Sequence, residues 1–112
     1  MVERGLHAVS LSEVDKKRLE SSADKNDACR VSCSPTIGDS AKNPIIFFHS
    51  NGRVRFGAEI IKTSQDTTQI DNIQRLDVDF FDEVLPELGE NSNRGHTGRK
   101  YGSVDRYLQK IG

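Results

Sequence analysis

Several residue types and patterns are scarce in this 112-residue sequence, and each scarcity argues against a class of protein. There is no tryptophan, and the aromatic residues are five phenylalanines and two tyrosines. No apolar run approaches the roughly 18 residues of a membrane-spanning helix. Neither charge dominates, because 16 basic and 17 acidic residues leave a net charge of −1. The composition therefore argues against a helical membrane protein and against a generally nucleic-acid-binding surface.

Cysteine is also scarce, with only Cys29 and Cys33 present. On a helix their Cα atoms would lie about 6 Å apart, within disulfide range, whereas on a strand they would lie about 13 Å apart. The alternation of small apolar and polar residues over 28–33 favours a strand with both cysteines on its inner face. We therefore expect two reduced thiols.

The amino-terminal residues bear on the cellular location. Met1 is followed by Val2, Glu3 and Arg4, and then by no apolar segment of the kind found in a secretory signal. We therefore expect a cytoplasmic protein.

The strongest structural signal lies between residues 44 and 62. Two runs rich in β-branched and aromatic residues flank Asn51 and Gly52, which both accept the positive φ of a type I′ turn. A two-residue turn would pair Phe47 with Phe56 and His49 with Val54.

This pairing predicts which side chains share a face of the hairpin. The first face holds Ile45, Phe47, His49, Val54, Phe56, Ala58 and Ile60, and the second holds Ile46, Phe48, Arg55, Glu59 and Ile61. We expect the first face to pack on helices. The second is mixed, so it is either half exposed or covered by something small, and if no helix covers it, that face would be the interface.

Helices are expected near both ends of the chain. Ser12 is a candidate N-cap for a mostly polar helix over residues 11–23. Ser103 is a candidate N-cap for a final helix over 104–111, where Val104, Tyr107 and Leu108 begin an apolar stripe.

Residues 67–81 fit either a helix or a strand. Ile70, Ile73 and Leu76 are spaced three apart, but Leu76, Val78 and Phe80 alternate with acids. We predict a short helix over 67–74 and a second helix over 79–88. The second would be capped by Asp79 or Asp77 and would carry a stripe made of Phe80, Phe81, Val84 and Leu85.

Together these elements predict a single α+β domain spanning residues 1–112. Its small antiparallel sheet would be built on the 44–62 hairpin and packed against two or three helices. Residues 1–9 carry no periodicity and are expected to be loosely ordered. An apolar fraction of 34% suffices for one modest core in a chain of this length.

Charge is divided between two blocks near the carboxyl end. Between Asp71 and Glu90 there are seven acids and one base, Arg75, whereas after Asn91 there are five bases and one acid, Asp105. Such blocks form solvated faces, pair with each other or recognise a partner.

The basic block contains a glycine-rich loop, residues 94–103, that precedes a helix. Its glycines free backbone N–H groups, and its cationic side chains and the helix end favour an anion. This chemistry suits a phosphate, a nucleic-acid backbone or an acidic partner. The loop lacks the lysine and the preceding strand of a P-loop.

The remaining candidate chemistry is sparse. The possible metal ligands are Cys29, Cys33, His7, His49 and His96, and no pair has the CxxC or HxxxH spacing of a zinc site, so neither a metal nor a cofactor is expected. A small enzyme would be centred on His49, with Cys33 or an acid as its partner.

The sequence favours a non-catalytic interaction module that recognises a protein partner, or forms a homodimer, through its acidic helix and basic carboxyl-terminal loop. The alternatives are a nucleic-acid or phosphate binder that uses loop 94–103, and the enzyme centred on His49. No membrane partner is expected. The candidate binding residues are Arg94, His96, Arg99, Lys100, Ser103, His49, Arg55 and Phe48.

Overall fold

A computed structural model describes residues 6–25, 27–32, 44–85 and 102–111. These residues form a mixed α+β fold, as predicted. The elements are β1 (Leu6–Ser10), α1 (Glu13–Lys25), β2 (Cys29–Val31), β3 (Ile45–Ser50), β4 (Arg53–Thr63), β5 (Thr68–Asp79), a π-helical turn (Phe80–Val84) and α2 (Gly102–Ile111). None of the helices in these ranges is both long and apolar enough to cross a membrane.

The sheet has five strands in the order β1-β3-β4-β5-β2. The expectation of an antiparallel sheet is wrong in one respect, because β1 runs parallel to β3 while the other neighbouring pairs are antiparallel. A parallel neighbour requires a long crossover connection. The segment that contains α1 and β2 supplies it.

Strand β1 corrects the prediction of loose order over residues 1–9. Leu6 pairs with Ile45 and Ser10 pairs with His49, so residues 6–9 belong to the sheet. Leu6, His7 and Ala8 are all buried, and a strand covered on both faces shows no polar–apolar alternation in its sequence. Residues 1–5 lie outside the described ranges.

Strand β5 replaces the helix predicted over 67–74. The three-residue spacing of Ile70 and Ile73 arises from a bulge, because Glu59 pairs with Asp71 while Gly57 pairs with Gln74. Three steps on β5 therefore match two on β4, and Asn72, inside the bulge, has φ 50°. After the bulge, Leu76 faces the opposite side of the sheet from Ile73.

A second bulge changes the pairing of β3 with β4. Asn51 and Gly52 form the turn with φ 53° and 77°, and His49 pairs with Val54. Beyond that point Phe48 pairs with Phe56, so Arg55 is an extra residue on β4. The predicted pairing of Phe47 with Phe56 is therefore wrong, and Val54 and Phe56 contribute to different faces of the sheet.

Both faces of the sheet are buried. The α2 face holds Leu6, Ala8, Ile45, Phe47, Val54, Leu76 and Val78, packed against Phe80, Val84, Val104 and Tyr107. The α1 face holds Val31, Ile46, Phe48, Phe56, Ala58, Ile60, Ile70 and Ile73, packed against Leu19. Ile46 and Phe48, which were assigned to the second face of the hairpin, are therefore buried in the cluster that includes Leu19 of α1. Ile61, assigned to that face by the predicted pairing, is 53% exposed.

Polar side chains fix the beginnings of the helices. Ser12 accepts the backbone N–H of Asp15 at 3.2 Å, as expected of an N-cap. The buried carboxylate of Asp15 accepts the N–H of Ser32 at 3.3 Å, which joins α1 to the end of β2. Asp79 caps the π-helical turn by accepting the N–H of Asp82 at 2.7 Å. The part of the predicted 79–88 helix beyond Leu85 lies outside the described residues.

The final helix, α2, begins at Gly102, so Ser103 lies in its first turn rather than at its cap. Tyr107 docks this helix on the sheet above Gly57, where there is no side chain to obstruct it. Its ring packs edge-on against Phe47, with centroids 6.4 Å apart, and its hydroxyl donates to the carbonyl of Asn72. One side chain thereby joins α2, β3 and the β5 bulge.

Gly57→Ala tests this packing. A Cβ atom at residue 57 would lie 2.8 Å from both the Tyr107 and Leu76 side chains, and 3.1 Å from Phe47. We expect the free energy of unfolding to fall by about 1–3 kcal/mol in urea denaturation. Lys62→Ala, at an exposed site on the same strand, should change it by less than about 0.5 kcal/mol. Equal effects of the two substitutions would contradict the packing role of Gly57.

Candidate functional site

The residues singled out from the sequence do not form one site in the described part of the chain. Arg94, His96, Arg99 and Lys100 lie outside the described residues. Ser103 is 3% exposed, at the start of α2.

The other three candidates lie on β3 and β4. Phe48 is 1% exposed in the core of the α1 face, so its ring does not reach the surface. Arg55 is exposed, and His49 is half-buried at the end of β3.

His49 packs against an aromatic ring. Its imidazole stacks on Phe80 with centroids 3.9 Å apart, and burial lowers its pKa. Cys29 packs against the α1 core, whereas Phe80, the ring beside His49, belongs to the α2 core. Burial raises the pKa of the Cys29 thiol. A raised pKa disfavours the nucleophilic thiolate. Cys33 lies outside the described residues.

An exposed phenylalanine marks the end of β5. Phe81 is 62% exposed, and its ring comes within 3.2 Å of the position that a Cβ atom would take on Gly52. The ring also packs edge-on against Phe80, with centroids 5.4 Å apart. Phe81 is therefore fixed in place above the β3–β4 turn while most of its surface stays open to solvent.

Acidic residues flank Phe81 in the chain. We call Asp77, Asp79, Phe81, Asp82 and Glu83 the acidic–aromatic surface. Asp79 holds the backbone of this segment by capping the π-helical turn. Among the described residues, no group of three or more histidine, cysteine, aspartate or glutamate side chains could hold a metal ion.

Two guanidinium groups compensate part of this negative charge. Arg53 lies 2.7 Å from Asp77 and 3.6 Å from Asp79, and Arg106 lies 2.5 Å from Glu83. Within the described ranges, no cation lies within ion-pair distance of Asp82. Four carboxylates thus face two guanidinium groups, and the surface keeps a negative excess. These exposed pairs contribute little to stability.

A pocket also reaches the β3–β4 turn, from the side of α1. Its volume is about 370 Å³. The polar and charged residues that line it are Lys16, Glu20, Ser50, Asn51, Arg55 and Arg75. They come from α1, the end of β3, the turn, β4 and β5, so the lining is assembled from separate segments of the chain.

Sequence reasoning named Arg55 but missed Lys16, Arg75 and the exposure of Phe81. The cations were missed because no local motif joins the three segments that carry them. The exposure of Phe81 was missed because the predicted helix placed Phe81 in one apolar stripe with Phe80, Val84 and Leu85.

His7 is the most deeply buried of the titratable candidates described. It is 4% exposed, and its Nδ1 atom finds no hydrogen-bond partner among the described residues. Burial lowers the pKa of His7 from 6.5 to about 4. The imidazole is therefore neutral at pH 7, as a core histidine on an edge strand.

This burial predicts a loss of stability in mild acid. As the pH falls through 6.5, the unfolded chain takes up a proton that folded His7 does not accept until about pH 4. The free energy of unfolding should therefore fall over this window, by up to about 3 kcal/mol at the lower end. His7→Leu should flatten the fall measured by urea denaturation between pH 7 and 5, whereas His49→Gln should retain most of it.

An equal fall in His7→Leu and the wild-type protein would contradict this account. The His7 ring protons, followed by NMR, give the same pKa directly and need no variant.

Comparisons with known proteins supply no likeness from which a function could be carried over. The chain matches no protein-family model, no curated protein and no solved structure. What the protein does has to be inferred from its own surfaces.

Proposed function

We propose that this protein is a non-catalytic interaction module that recognises a protein through the acidic–aromatic surface, with a second copy of the chain as the partner. The observation that carries the proposal is the exposure of Phe81, 62% in a side chain that is otherwise held against Phe80 and Gly52. The hairpin of residues 44–62 is the scaffold beneath it.

A fixed, exposed aromatic ring is well suited to bind a protein. Aromatic residues are enriched in protein interfaces and carry a large share of the binding energy. Because the Phe81 ring already packs against Phe80 on one side, a partner that covers its open side orders little additional structure. The entropic cost of ordering this side chain on association is correspondingly small.

The charge around Phe81 indicates the chemistry of the partner. Four carboxylates against two guanidinium groups favour a basic surface, because complementary charges steer association and fix the orientation of the complex. The sequence carries such a basic block itself, with Arg94, Arg99 and Lys100 ahead of α2 and Lys110 near its end.

A homodimer satisfies both charge blocks at once. In a two-fold arrangement, the acidic–aromatic surface of one protomer meets the basic block of its partner, and the same contact is repeated across the axis. This reciprocity favours a second copy over an unrelated basic protein. A cytoplasmic location is part of the proposal and agrees with the free thiol of Cys29.

The two alternatives rest on less of the described structure. Residues 94–101 of loop 94–103 lie outside the described residues, and Ser103 is buried at the start of α2, so phosphate binding there has only its sequence as support. An enzyme centred on His49 would need a reactive partner, and the described neighbour of its ring is Phe80.

Phe81→Ser tests the proposal. The wild-type protein should form a dimer whose dissociation constant rises with salt, since part of the attraction is electrostatic. Phe81→Ser should weaken the dimer at least about tenfold in sedimentation equilibrium. Ile61→Ser is the matched control, because Ile61 is a 53% exposed aliphatic residue on β4 outside this surface, and it should leave the dimer unchanged.

Asp82→Lys tests the charge contribution separately. It removes a carboxylate that forms no ion pair with a described cation, and should weaken the dimer most at low salt. A wild-type protein that stays monomeric at high concentration would overturn self-association. A dimer that both substitutions leave intact would place the interface elsewhere and overturn the role of Phe81.

A further inference from the structure

The pocket beside the β3–β4 turn gathers three cationic side chains. Lys16 comes from α1, Arg55 from the bulge on β4 and Arg75 from β5, and the acid that lines the pocket with them is Glu20. Its volume of about 370 Å³ falls at the lower end of the roughly 300–1,000 Å³ range of small-ligand sites.

Arg75 is held in place before any ligand arrives. Its Nη2 atom donates to the Asp24 carboxylate at 2.8 Å and to the carbonyl of Glu20 at 3.4 Å. Its guanidinium carbon lies 5.7 Å from the centroid of the Phe56 ring, a cation–π distance. Both hydrogen bonds use Nη2, so the N–H groups on Nε and Nη1 find no acceptor among the described residues.

The charges of Lys16 and Arg55 are only partly compensated. Over the described ranges, no carboxylate lies within ion-pair distance of either side chain. Asp24 compensates the charge of Arg75, so Glu20 is the lining acid left to balance Lys16 and Arg55. The pocket therefore has a positive net charge, although the chain as a whole has a net charge of −1. Ser50 and Asn51 add a hydroxyl and an amide at the turn.

We propose that this pocket binds a small phosphorylated ligand, a phosphate monoester. Guanidinium groups present paired N–H donors that match phosphate oxygens, and cations from three separate elements suit a tetrahedral dianion better than a planar carboxylate. Seated there, the phosphate compensates the charge of Lys16 and Arg55 and accepts the free donors of Arg75. The site shares no residue with the acidic–aromatic surface or with loop 94–103.

The same features disfavour a nucleic acid as the occupant. A polynucleotide backbone is recognised by basic side chains spread along a face, and its binding falls steeply with salt. Here the cations line one concave pocket, and the chain as a whole is slightly acidic.

Titration with glycerol 2-phosphate, followed by NMR of the ¹⁵N-labelled protein, tests the proposal. Saturable shifts are expected at the amides of Lys16, Ser50, Asn51 and Arg55. Arg55→Gln and Lys16→Gln should each weaken binding about tenfold, because each removes one charge-assisted hydrogen bond. The spectrum of each variant reports at the same time that it is folded.

Two control substitutions make the same change of charge outside the pocket. Lys17→Gln alters the next residue of α1, which lines a more open basic hollow with Arg18 and Arg30, and Lys62→Gln alters the far end of β4. Both should bind glycerol 2-phosphate as the wild-type protein does. An equal loss in these controls would show general charge attraction and overturn the site.

Two further results would overturn the proposal. The first is the absence of saturable shifts at the four pocket amides. The second is displacement of glycerol 2-phosphate by a single-stranded oligonucleotide that is present at a lower concentration and whose binding falls steeply with salt. That result would assign the pocket to a polyanion. Inorganic phosphate that binds as tightly as the monoester would support the phosphate contacts and show that the organic part contributes no affinity.

Discussion

The contact of Tyr107 with the sheet above Gly57 connects most of the fold. The tyrosine ring fills the space that the glycine leaves and meets Phe47, while its hydroxyl satisfies the carbonyl of Asn72. That carbonyl belongs to a bulge, where the extra residue disrupts the ladder and the backbone needs a partner from elsewhere. The helix thereby stabilises the irregularity in β5 that decides which side chains follow on each face.

The pocket beside the β3–β4 turn depends on two such irregularities. Without the Asn72 bulge, regular alternation would turn Arg75 away from α1, where Asp24 and the pocket lie. Without the bulge at Arg55, regular alternation along β4 would place Phe56 on the face of Val54, where it could not lie beneath Arg75. Bulges commonly re-aim side chains in this way near functional sites.

The sequence predicted the features that depend on neighbouring residues. It failed where a strand is irregular or where the contacting residues are far apart in the chain. The Ser12 cap, the Asn51–Gly52 positions of positive φ and the apolar stripe of the last helix are all short-range signals. The bulge in β5 gives Ile70 and Ile73 the three-residue spacing that is typical of a helix. No short sequence motif identifies Asn72 as the position of the bulge. Of the pocket cations, only Arg55 was predicted to be a binding residue, because the pocket exists only once α1, β4 and β5 are packed together.

The strand order also bears on how the chain folds. Strands β3, β4 and β5 pair with their neighbours in sequence, whereas β1 and β2, separated only by α1, lie at opposite edges of the sheet. Leu6 pairs with Ile45, and Cys29 pairs with Ile70. Both edge strands therefore have to close long loops in order to pair, whereas the central strands do not. We therefore expect β3, β4 and β5 to pair early, and the segment from β1 to β2 to pack against them last as one cooperative unit. The amides of the two edge strands should then become protected from hydrogen exchange at the same time.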